Sequence, residues 1–179
     1  MAEQLAVWHA EHVSFARLLD LLEKEVATFH EGGRPNYELM LDIVHYMRTF
    51  SDRYHHPRED AAFAKLVARD PKWEIAIARL NQEHRVLANA GEELRHHLDE
   101  ALDDVPEPRS VLEAAAATYI VYYRAHLGTE EREIMPRAAQ LLTAQDWAEV
   151  AASAPAVTDP IASGDLLERL RNLRAGANA

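Results

Sequence analysis

The sequence predicts an all-α protein: an up-and-down antiparallel four-helix bundle with a short C-terminal helix. Three observations predict it. Apolar residues recur at helical spacing, in steps of three and four, through four long stretches. Glycine and proline are sparse, 6 and 8 in 179 residues, while Ala, Leu, Glu and Arg dominate. The joints between the stretches are short, and short joints favour antiparallel neighbours.

The first helix is expected from about Leu5 to Phe29, with Trp8, His12, Phe15, Leu19, Leu22 and Val26 as its inward stripe. HEGGRPN (30–36) breaks it. The second runs from about Tyr37 to Ala68, with Met40, Val44, Met47, Ser51, His55, Glu59, Ala62 and Leu66 inward. Pro57 falls inside it; it removes one backbone hydrogen bond, frees the carbonyl of Arg53 and should bend the helix. Asp70-Pro71 opens the third, with Asp70 as N-cap. Its stripe is Trp73, Ile77, Leu80, His84, Leu87, Gly91, Leu94 and Leu98. DDVPEPRS (103–110) is a loop. The fourth helix runs from about Val111 to Leu142, with Leu112, Ala115, Tyr119, Tyr122, His126, Glu130, Ile134 and Leu141 inward. A small-residue linker follows at 152–164, and a short helix from Asp165 to Leu173 should dock on the bundle. The expected division is a bundle at 1–145 and a C-terminal extension at 146–179.

A chain of this length can bury one sizeable core. The net charge of −11 argues against a nucleic-acid partner. No cysteine is present, which excludes disulfides, thiolate metal sites and a Cys nucleophile. The N-terminus lacks a signal-peptide pattern and no stretch approaches a membrane span, so a cytoplasmic protein without a membrane partner is expected. The oligomeric state is open, a homodimer included.

Ten histidines are the feature to explain. Each inward stripe is apolar except at one level. There the first helix offers His12 and the third His84; the second offers His55 with Glu59, and the fourth His126 with Glu130. Both pairs read HxxxE, a spacing that puts both side chains on one helical face. The halves repeat, Glu11-His12 and Glu83-His84 each being followed by an HxxxE helix, which implies a pseudo-twofold centre. Burying such groups without partners is costly, and a metal removes the difficulty. Imidazole with carboxylate suits iron, manganese or zinc. A single zinc needs about four ligands, whereas six convergent groups with two carboxylates able to bridge suit two metals. His56 points about 100° from His55 on an ideal helix and is read either as an extra ligand from the bundle edge or as a surface residue. His9, His30, His96 and His97 are read as solvated, His45 as structural, and the acidic run after Glu130 as a solvated face.

His12, then HHPRED, QEHRVL, and HLGTEE followed by IMP resembles the hemerythrin-like (HHE cation-binding) family over roughly residues 5–142, and DWAEVA resembles the tail of its bacterial members. The resemblance implies a four-helix bundle holding two iron ions, with zinc or manganese as substitutes. It implies His12, His55, Glu59, His84, His126 and Glu130 as ligands, the glutamates bridging. Oxygen carriers of the family have HxxxH on the third helix, but Ala88 stands four residues after His84. They also end in HxxxxD, whereas Glu130 and Glu131 both follow His126. The chain is thus more similar to bacterial redox, nitric-oxide and iron-homeostasis members, or to an iron-sensing domain. The ligand implied is a small molecule (O2, peroxide or NO). The alternatives are reversible O2 storage or a metal-dependent interaction module, and whether the chain is an enzyme is left open.

Overall fold

The computed structural model describes residues 2–106, 108–153, 157–161, 168–170 and 172, and among these there are helices and no strands. Helix α1 spans Ala2–His30, α2 Tyr37–Tyr46, α3 His56–Arg69, α4 Glu74–Leu102, α5 Arg109–Thr129, α6 Met135–Leu141 and α7 Ala144–Ser153. A π-helical stretch, Met47–His55, joins α2 to α3, and another, Glu130–Ile134, joins α5 to α6. Helix α1 ends where Gly32 takes a positive φ of 76°, a conformation that glycine adopts without steric cost. Among the described residues no helix is long and apolar enough to cross a membrane.

The expected stripes form the core. Phe15, Leu19, Leu22, Met40, Val44, Met47, Leu87, Leu94 and Leu98 pack in one apolar cluster with Ala116, Tyr119 and Tyr123. Trp8, Ala62, Leu66, Ile77, Leu80, Ile134 and Ala138 form a second with Trp147 and Val150 of α7. Each fully buried Leu, Ile or Phe contributes about 1.5–3 kcal/mol. Successive long segments pass through the two clusters in alternating order: Trp8 then Phe15, Phe50 then Ala62, Leu80 then Leu87, Tyr123 then Ile134. Every segment therefore crosses the gap between the clusters, and the histidines and glutamates sit in that gap. Beside the first cluster Gly91 allows α4 to approach closely, since a Cβ on it would lie 3.3 Å from both Arg48 Cγ and Tyr119 Cε2.

The structure corrects several details. Pro57 does not merely bend one α-helix. The backbone before it widens into π turns, with the N–H of His56 bonded to the carbonyl of Ser51. A π turn relieves the clash a proline would make in a regular helix and is a frequent companion of functional sites. The fourth helix is likewise interrupted, with Met135 N–H bonded to Glu130 O just before Pro136. Asp70 does not cap α4; a 3₁₀ turn at Pro71–Trp73 comes first, and its carboxylate pairs with Lys72 and Arg137. On α5, Tyr123 rather than Tyr122 faces inward, at 0% against 54% exposure. The stripe there steps by four from Tyr119, a choice that the sequence leaves ambiguous.

Helix α7 lies where only the family tail was recognised. Thr143 and Asp146 cap it reciprocally: Thr143 N–H donates to Asp146 Oδ2 at 2.8 Å, and Asp146 N–H donates to Thr143 Oγ1 at 3.2 Å. Part of the short helix expected at Asp165–Leu173 lies outside the described residues. Of the rest, 168–170 are helical and Leu170 is buried in the first cluster with Ile161.

Candidate metal centre

The gap between the clusters is filled by His12, His55, His56, Glu59, His84, His126 and Glu130, none more than 6% exposed. Nε2 of His12 and Nε2 of His55 face each other at 2.9 Å. Oε1 of Glu59 lies 3.2 Å from the first and 3.1 Å from the second, and its Oε2 turns to Nε2 of His84 at 3.8 Å. Glu130 mirrors it. Its Oε1 lies 3.4 Å from Nε2 of His84 and 3.3 Å from Nε2 of His126, and its Oε2 turns to Nε2 of His12 at 3.7 Å. Each carboxylate thus addresses both histidine pairs.

The outer nitrogens are held by a second ring of carboxylates. Nδ1 of His12 donates to Glu131 at 2.8 Å, of His55 to Glu11 at 2.6 Å, of His84 to Asp60 at 2.9 Å and of His126 to Glu83 at 3.1 Å. This ring follows the internal repeat. Glu11 and Glu83 precede the lone histidines, but each serves the histidine of the neighbouring helix. Asp60 and Glu131 follow Glu59 and Glu130 and serve the lone histidines. With Nδ1 donating, a neutral imidazole keeps its lone pair on Nε2, aimed at the centre.

That arrangement fits a metal. Two lone pairs facing at 2.9 Å repel unless a proton or a metal ion lies between them, and nitrogens bound to one ion at a right angle stand about 3 Å apart. Glu59 Oε2, Glu130 Oε2 and His126 Nε2 are buried with no hydrogen-bond partner. A buried unsatisfied polar atom costs about 1–3 kcal/mol, and ligation would satisfy all three. The electrostatics agree. Burial works against the His12 cation, but hydrogen bonds to Glu131 and Glu59 and the charges of Glu59 and Glu130 raise its pKa to about 10. Against the same burial, Asp60 and Glu130 raise His84 to about 10. Burial would lift the Glu59 carboxyl, yet His55 and His12 hold it well below the usual range. So the cage demands positive charge: protons without metal, metal in their place. Two groups of side chains have atoms close enough to hold an ion: His12, His55 and Glu59, and His56, Glu59, His84 and His126.

Residues 4–138 match the family model of the hemerythrin HHE cation-binding domain. The chain belongs to the hemerythrin HHE cation-binding family. A search of the curated proteins and of the solved structures gave no match.

Within this hemerythrin domain His56 breaks the pseudo-twofold, since Leu127 is its counterpart after His126. It is no surface residue, being 3% exposed and stacked on His84 with ring centroids 4.1 Å apart. Burial, then the charges of His84 and His55, push its pKa well below the ordinary value, so it is neutral. Nε2 of His56 is 3.1 Å from Ser51 Oγ, which in turn is 2.5 Å from the Tyr123 hydroxyl. Sequence reading missed this tyrosine and the role of the outer carboxylates. The signal for the latter was the acidic residue flanking every motif. The run after Glu130 is not simply solvated either: Glu131 is half-buried, and exposed His9 stands 3.1 Å from its oxygens.

Proposed function

We propose that this hemerythrin domain holds two iron ions and that the centre reacts with, or senses, a small molecule such as O2, peroxide or NO, or iron itself. In this reading its helices form the up-and-down four-helix bundle, in a cytoplasmic protein. His12 and His55 hold one ion, His84 and His126 the other, and Glu59 and Glu130 bridge them. The observation that carries the reading is that each bridging carboxylate turns one oxygen to each histidine pair. The bound pair supplies electrons and open positions for a small ligand. The chain supplies the rest. Glu11, Asp60, Glu83 and Glu131 fix the imidazole tautomers, and the apolar clusters on either side exclude water. The test is to mix anaerobic ferrous-loaded protein with O2, hydrogen peroxide or NO and follow its absorption. Oxidation supports a redox centre, and inertness toward all three opposes it.

One observation favours a second reading, reversible O2 storage. His56 sits with His84, His126 and Glu59 as a fifth nearby histidine, where Ala88 cannot supply one. If His56 ligates, one ion loses its open position and a single binding end remains. A coloured O2 adduct that returns to the ferrous state on purging, and is lost in His56→Ala, would select storage.

A further inference from the structure

The two halves of the domain repeat closely enough for their differences to be informative. In sequence register Val7, Ala10, Glu11 and Ser14 of α1 correspond to Arg79, Gln82, Glu83 and Val86 of α4. Both sets line cavities. The α1 set, with Val157, Thr158 and Asp159, lines one of about 430 Å³. The α4 set lines one of about 270 Å³ against α5.

On the α1 side the approach stops at Glu11. Arg58, itself 4% exposed, donates to both Glu11 oxygens at 2.8 and 2.7 Å, so the carboxylate is covered and His55 is not reached. The C-terminal segment crosses here, tied by the Tyr46 hydroxyl donating to Asp159 at 2.9 Å. On the α4 side the counterpart of Arg58 is Thr129, too short to cover anything. Glu83 stays 28% exposed, and it lines the cavity together with His126, which is 1% exposed. Its walls are Val86, Leu87, the Tyr122 ring and Ala125, with Tyr122 and Val86 exposed at the mouth.

We propose that this α4–α5 cavity binds a small uncharged organic molecule with an apolar body and one hydroxyl or hydroperoxyl head, the head directed to the Glu83–His126 pair. At about 270 Å³ the cavity is far larger than a diatomic gas fills and has room for an organic body. The walls select an apolar body. In the cavity lining Glu83 accepts from Nδ1 of His126 and pairs with Arg79 at 3.0 Å, leaving carboxylate lone pairs for a hydroxyl. This rests on the di-iron reading only for its consequence, that the centre is approached from α4–α5 and takes organic hydroperoxides in preference to ions.

The test is a titration of the whole protein, metal-free and zinc-loaded, with 2-phenyl-2-propanol, followed by methyl NMR. The expected result is saturable shifts at Val86, Leu87 and Ala125, with a Kd of about 1 mM or tighter, and none at Val7 or Ala10. Ala125→Trp should weaken binding at least tenfold, and Val86→Gln, a milder change, at least threefold. No saturable shift, shifts at the α1 cavity instead, or unchanged binding by a folded Ala125→Trp or Val86→Gln would overturn it. Metal uptake is measured separately: binding of the probe by protein that takes up no metal would sink the di-iron reading and leave the cavity standing.

Discussion

Glu11 and His55 stand on different helices with Oε2 and Nδ1 only 2.6 Å apart, and Arg58 grips the same carboxylate. Glu11 is 4% exposed, and burial alone would raise its pKa, but the hydrogen bonds from His55 and Arg58 lower it. The sequence places Glu11 beside His12, yet its partner lies on the helix opposite. One buried carboxylate thus joins α1 to α3 and orients an imidazole.

Glu11→Gln keeps the shape and removes the charge. Metal affinity should fall about 10–100-fold, as for other outer partners of metal-bound histidine. Stability should fall as well, because Arg58 loses its buried counter-charge. Glu83→Gln should cost comparable affinity and less stability, since Glu83 is partly exposed. Chelator competition and thermal melts measure both, and unchanged affinity in both variants would deny the outer ring its role.

Ligand roles should be separable by metal analysis. Glu59→Ala or Glu130→Ala should disturb both ions, and His12→Ala or His84→Ala chiefly one. His45→Ala should leave metal content unchanged. Glu131→Ala should weaken binding by loosening His12, but less than Glu130→Ala does. The reverse order would put the bridge on Glu131.

Without metal, stability should depend on pH with a definite sign. The folded pKa values of His12 and His84, about 10, lie above the ordinary 6.5. Their protonation therefore stabilises in full below pH 6.5, and that contribution is lost as pH rises through 10. Chelated protein should melt progressively lower across this range, by several degrees at about 2–4 °C per kcal/mol. Metal-loaded protein should change less, since the ions carry the charge, and metal affinity should rise with pH as protons cease to compete. A flat melting profile for the chelated protein would contradict the charge demand of the cage.

Tyr123→Phe removes one hydroxyl from the Ser51–His56 chain. A loss of about 1 kcal/mol in stability is expected, with metal content unchanged. Loss of metal in this variant would assign Tyr123 a ligand role that its hydrogen bonds do not indicate.

The inward stripes were legible because helical periodicity reports burial directly. Trp8, His12, Phe15, Met40, His55, Glu59, Leu80, His84, His126 and Glu130 all lie where their spacing puts them. Three kinds of feature were not legible. Tyr122 and Tyr123 are both compatible with one turn, and only packing against Ser51 and Tyr119 decides between them. The π turns before Pro57 and Pro136 change the register locally, so His56 joins the core against the expectation for an ideal helix. The outer carboxylates act across helices, and sequence adjacency assigns them to the wrong histidine.

The central claim is that six buried side chains, His12, His55, Glu59, His84, His126 and Glu130, form one site for two ions. Protein loaded anaerobically with ferrous iron, desalted and analysed for metal should carry close to two irons per chain, falling below one in Glu59→Ala. A saturating stoichiometry of one iron, or two irons undiminished in Glu59→Ala, would contradict it.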